Sequence, residues 1–267
     1  MTATIKQIVQ DAFIATRQGT SADFVICNDA LRGDFIRRCQ ASNAEVTEVL
    51  CNTTLLNLRK SGRLRDLPAT ARSQGATAPT GYETLVFQLV RMLERSLGTN
   101  VDHIICDPKI RQQFDDGLVL FGMRLSAAEG RLTALRLRKS AMLRPEPVGK
   151  FVRSKLSGMI QLAELEAKCS QLPEASGAYI FFSESATLYI GKADNLRRRL
   201  DDHASTWTFR ELVRLIKANK IPEIWLAFHE TGLTGGSLSA YESELIQSQA
   251  PVHNRAGASG RGVNRRK

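Results

Sequence analysis

The sequence predicts an α+β protein: a mostly helical N-terminal domain, then a small domain with a three-stranded antiparallel sheet flanked by helices. Three observations predict it. Apolar residues recur at three- and four-residue spacing through about residue 140, the signature of one buried helix face. After residue 172 short β-rich runs take over. Between them lies a proline-containing basic stretch, LRPEPVGK. The expected partition is a helical domain at 1–142, a basic linker and helix at 143–171, the sheet domain at 172–256 and a basic disordered tail at 257–267.

Each element has a local reason. IKQIVQDAFIATR, ALRGDFIRRCQ after Asn28 and Asp29, and AEVTEVLCNTTLLNLRKSG read as helices, the last stopped by Gly62. Residues 66–80, rich in Pro, Thr, Ala and Gly, read as a loop, with Thr80 placed to cap GYETLVFQLVRMLERSLG. Asp107 and Pro108 open IRQQFDDGLVLFG, because proline suits the first helical turn. Ser126 and Glu129 have capping-box spacing ahead of LTALRLRKSAML. AYIFFS (178–183) and TLYIGK (187–192) read as a hairpin. DNLRRRLDDH and FRELVRLIKAN read as helices, EIWLAFHE (223–230) as the third strand, and SAYESELIQSQ as a final helix. No internal repeat is read from the sequence.

Charge bounds the partner. With 37 Lys and Arg against 27 acids, the formal net charge is +10, and such a chain is drawn to polyanions before specific contacts form. Nucleic acid is the expected partner class. Residues 131–155 hold eight bases and one acid, so Arg131, Arg138 and Lys139 are read as phosphate contacts, with a solvated helix face as the alternative. No apolar run approaches the roughly 20 residues of a membrane helix, and the N-terminus lacks a signal-peptide pattern. A cytoplasmic chain without a membrane partner is expected. Cys27, Cys39, Cys51, Cys106 and Cys169 lack metal-site spacing and are expected to be buried, reduced thiols.

Chemistry concentrates in TLYIGKADNLRRRLDDH, residues 187–203. Arg199 and His203 are four residues apart and share a helix face. A tyrosine, a guanidinium and a histidine suit a phosphodiester: the cation stabilises charge on phosphoryl oxygens and the others relay a proton. Each residue also has an ordinary reading. The tyrosines are common strand aromatics, Arg199 and His203 have Asp201 and Asp202 to pair with, and Glu242 has capping-box spacing from Ser239.

Gly177-Ala178-Tyr179, then Tyr189-Ile190-Gly191, NLRRRL, His203, Glu242 and Asn254 together resemble the GIY-YIG nuclease family over about residues 172–256. Ala178 departs from the family's isoleucine. The resemblance implies an endonuclease hydrolysing DNA with one Mg²⁺ (or Mn²⁺) per active site, held by Glu242. It implies catalytic roles for Tyr179, Tyr189, Arg199, His203 and Glu242, with phosphate or DNA contacts from Lys192, Arg197, Arg198 and Asn254. The expected partner is double-stranded DNA, with a homodimer as one way to cut both strands. Restriction or phage defence is the expected role. The alternatives are a repair or structure-specific nuclease, an RNA-directed enzyme, and a DNA-binding protein that does not cut. His229 and His253 have no counterpart in the motif and are expected to be structural.

Overall fold

A computed structural model describes residues 4–67, 81–140, 142–143, 157–202, 210–211, 214 and 223–254. It divides into two compact units, residues 1–80 with 99–144 and residues 81–98 with 145–267. In chain order the first helices are α1 (Ile5–Thr16), α2 (Ala22–Cys27), α3 (Asp29–Ser42), α4 (Glu48–Lys60), α5 (Glu83–Leu97), α6 (Val101–Cys106), α7 (Pro108–Leu120) and α8 (Ala127–Lys139).

All of these except α5 form the first unit. Thr4, Ser21, Asn28, Thr47, Asn100, Asp107 and Ser126 each accept a backbone N–H at a helix start, satisfying donors that a helix leaves open. Ser126 and Glu129 make the reciprocal box that their spacing predicts. Gly62 follows α4 with φ +75, a left-handed conformation that glycine adopts without strain. The sequence does not reveal α2 and α6, because six residues are too few to display a helical period.

The second unit is built on a sheet of β1 (Ser157–Gln161), β2 (Gly177–Phe182), β3 (Thr187–Ala193) and β4 (Trp225–Glu230), in the order β1-β4-β2-β3 with every pair antiparallel. Four strands replace the three expected. The extra strand, SGMIQ, lies where a linker was expected; it has little β-branched character, and pairing from Ser157 opposite His229 to Gln161 opposite Trp225 makes it a strand. Helix α5 belongs here too, packed on β1 and β4, where the sequence places it in the helical domain. It starts at Tyr82 without a side-chain cap. The unit also contains α9 (Leu165–Lys168), α10 (Leu196–Asp201) and α11 (Gly235–Gln249).

One face of the sheet carries Tyr179, Phe181, Leu226 and Phe228 into a core shared with Leu196 and Leu200 of α10. Burying each large side chain contributes about 1.5–3 kcal/mol, enough to hold so short a helix in place. All five cysteines are buried free thiols. Among the described residues no helix is long and apolar enough to cross a membrane. Thr80, most of the expected loop, linker and FRELVRLIKAN helix, and the tail lie outside the described residues.

Candidate active site

Strands β2 and β3 pair with Tyr179 opposite Gly191 and Phe181 opposite Tyr189, so side-chain alternation brings both tyrosines to one face. Their ring centroids are 6.2 Å apart. The Tyr179 ring crosses its neighbouring strand directly over Gly191, where any Cβ would collide with the ring and its hydroxyl. Gly177 is confined in a similar way, by the backbone carbonyl of His229 and the side chain of Leu196. Both motif glycines are therefore required by close approach.

Helix α10 starts at Asn195, whose Oδ1 accepts from the Arg198 N–H at 2.8 Å. Buried Leu196 and Leu200 seat it on the core, and between them the exposed Arg199 donates from Nε to the Tyr179 hydroxyl at 3.4 Å. That hydrogen bond holds the guanidinium more firmly charged than usual. Tyr189 is pushed up to about 12, first by burial and then by its electrostatic interactions with Tyr179 and Glu242. At neutral pH it is a protonated donor.

Glu242 comes from the interior of α11. The helix starts at Gly235, and Ser239 donates to the Gly235 carbonyl at 3.0 Å, so the capping reading of Ser239 and Glu242 is overturned. The Glu242 side chain is 21% exposed, and the Lys192 ammonium stands 3.4 Å from its Oε2 while also donating to Ser239. The next residue back, Tyr241, meets His229 of β4 through a 2.6 Å hydroxyl–imidazole hydrogen bond in a buried setting. Burial holds His229 well below the usual histidine range, so the pair is neutral and fixes α11 against the sheet.

Asn254 closes the outer edge of β3. Its Oδ1 accepts from the Ile190 N–H at 2.8 Å and its Nδ2 donates to the Ile190 carbonyl at 2.7 Å. Val252 and His253 donate to the Thr187 and Leu188 carbonyls, so residues 252–254 occupy an edge that would otherwise expose backbone groups. Its position beside the tyrosine strand makes Asn254 a support for that strand.

Tyr179, Tyr189 and Arg199 come together, and the charge of Glu242 reaches Tyr189. His203 lies outside the described residues. Arg198 is exposed. Arg197 donates to the Leu172 and Ser170 carbonyls and pairs with Glu174, tying down the segment before β2. Three further expected contacts lie in the other unit and are engaged with acids there. Arg131 is 4% exposed and spent on Asp29, Asp115 and the Cys27 carbonyl, while Arg138 pairs with Asp102 and Lys139 with Asp23. A run of bases in sequence says nothing about the acids that fold onto it.

Among the described residues no three His, Cys, Asp or Glu side chains gather as a metal cluster. Glu242 is a single hard oxygen donor. That donor fits a Mg²⁺-like ion whose other ligands are water and phosphate oxygens.

Part of the chain is similar to excision nucleases. A segment of 94 residues, 35% of this chain, is 32% identical to UvrABC system protein C of Dictyoglomus thermophilum, covering 15% of that protein. A segment of 90 residues, 32% of this chain, is 38% identical to excinuclease cho of Salmonella typhi and of Salmonella typhimurium, covering 27% of each. The chain thus matches well under a third of each relative's length. No family model and no solved structure matches the chain.

Proposed function

We propose that the second unit is a GIY-YIG-type endonuclease module that hydrolyses DNA phosphodiester bonds. The observation that carries the reading is the convergence of Tyr179, Tyr189 and Arg199 on one sheet face, with Glu242 electrostatically linked to Tyr189. In this reading Tyr179, beside a guanidinium, first passes its own proton to solvent and then, as the phenolate, takes the proton of the attacking water. Arg199 neutralises charge building on the phosphoryl oxygens, and Tyr189, held protonated, orients the water or a phosphate oxygen by donating to it. Lys192 and Arg198 bind neighbouring phosphates and His203 shuttles a proton. Glu242 holds one Mg²⁺ or Mn²⁺, which when bound polarises the phosphate and stabilises the leaving oxygen.

The likeness to excinucleases supports incision of a repair or structure-specific kind over restriction or defence. The small module has little surface for choosing a target, so that choice is assigned to the helical unit. One observation favours a second reading, a module that binds DNA without cutting: Lys192 already faces the Glu242 carboxylate. Supercoiled plasmid incubated with the protein and Mg²⁺ or EDTA, beside Glu242→Ala, separates the two. Metal-dependent nicking lost in the variant is expected; tight binding with no cleavage of duplex, single-stranded or branched DNA would sink the nuclease reading.

A further inference from the structure

The first unit contains a repeat. Residues 21–60 lie on residues 100–139 without a gap, and helices α2, α3 and α4 begin at the same aligned positions as α6, α7 and α8. The caps coincide as well: Ser21 with Asn100, Asn28 with Asp107, Thr47 with Ser126. Identical residues include Asp23/Asp102, Ile26/Ile105, Cys27/Cys106, Arg32/Arg111, Phe35/Phe114 and the Leu-Arg-Lys ends at 58–60 and 137–139.

Matched residues make matched bonds. Arg32 donates to the Ile26 carbonyl at 2.9 Å and Arg111 to the Ile105 carbonyl at 3.1 Å. After each Leu-Arg-Lys, Ser61 and Ser140 donate to the Leu58 and Leu137 carbonyls. Packing is matched by exchange of volume. The buried thiols of Cys39 and Cys51 interact in the first copy, whereas the aligned pair is Leu118 and Gly130, where the leucine fills the space that a Gly130 side chain would need.

Contacts between the copies are reciprocal. Lys60 of the first pairs with Asp102 of the second at 2.6 Å, and Lys139 of the second pairs with Asp23 of the first. Asn52 donates to the Cys106 carbonyl at 3.1 Å, and its aligned residue Arg131 donates to the Cys27 carbonyl at 2.9 Å. Residue i touching j while j's counterpart touches i's counterpart is the mark of a two-fold interface between like subunits.

We propose that residues 21–60 and 100–139 are two copies of one three-helix module whose interaction surface fits a second copy of itself, and that the Arg-Lys ending each copy locks this internal dimer. Each aspartate collects an arginine from its own copy, Arg59 on Asp23 and Arg138 on Asp102, and a lysine from the other. These charges are neutralised inside the unit, and the proposal stands apart from the nuclease reading.

Two experiments on the full chain test it. Cys39→Leu and Cys51→Gly are made singly and together, transplanting the second copy's packing pair into the first. Each single change is expected to lower the melting temperature by about 2–4 °C or more, from crowding and from a void respectively, and the double to recover at least half of the combined loss. Single changes without effect, or a double as low as the sum of its parts, overturn the repeat. Arg138→Gln and Lys139→Gln test the lock. The expected result is a lower melting temperature with unchanged DNA affinity and salt dependence. An unchanged melting temperature with a salt slope reduced by about one unit per residue would make them phosphate contacts and overturn the lock.

Discussion

Replacing Asn254 by alanine removes both hydrogen bonds that complete the edge of β3 at Ile190, a residue with no exposed surface. Each is worth about 1 kcal/mol net, so the loss is about 2 kcal/mol, rising toward about 4 kcal/mol if water fails to reach the freed groups. With a urea slope of about 2 kcal/mol/M, the midpoint falls by about 1 M. Trp225, buried in β4, belongs to the second unit, so its fluorescence follows the unfolding that matters. Asn254→Asp sharpens the test. It keeps an acceptor for the Ile190 N–H but turns an anion toward the Ile190 carbonyl, so at neutral pH it is expected to be at least as destabilised as the alanine variant. Plasmid nicking by both variants should fall with the displaced tyrosine strand. If either variant kept its midpoint within about 0.3 M of the parent chain, edge closure by Asn254 would not be what holds this strand.

Gly191→Ala puts a methyl group where the Tyr179 ring lies; the expected outcome is a folded chain, by circular dichroism, with nicking reduced at least ~100-fold, because a misplacement near 1 Å costs about that much. Tyr189 supplies a pH test. Its folded-state pKa of about 12 exceeds the ordinary 10.0, so its contribution to stability is full below pH 10 and is lost as pH rises toward 12. Urea midpoints measured from pH 9 to 11 should therefore fall less steeply in Tyr189→Phe than in the parent chain, and parallel curves would show that the phenol is not held protonated by the fold.

What was legible in the sequence was local. The Ser126–Glu129 box, the stop at Gly62 and the Tyr179 and Tyr189 strands rest on interactions within a few residues, or on a side-chain alternation that any strand imposes. The same locality misled at Ser239 and Glu242, whose spacing fits a cap although the helix had already begun at Gly235. The repeat is faint in the sequence because its identities are scattered over helix positions and its packing pairs differ in volume together.

The sequence by itself determined the starts of α3, α7 and α8, the two facing tyrosines and the basic excess. Only the tertiary structure decided that SGMIQ is a strand, that α5 serves the sheet, and that Arg131, Arg138 and Lys139 are each paired with an acid. The physical reason is range. A cap or an alternation is settled by neighbours along the chain, whereas an edge strand needs a partner such as β4, and a charge has no fixed role until the fold brings Asp23 or Asp102 beside it.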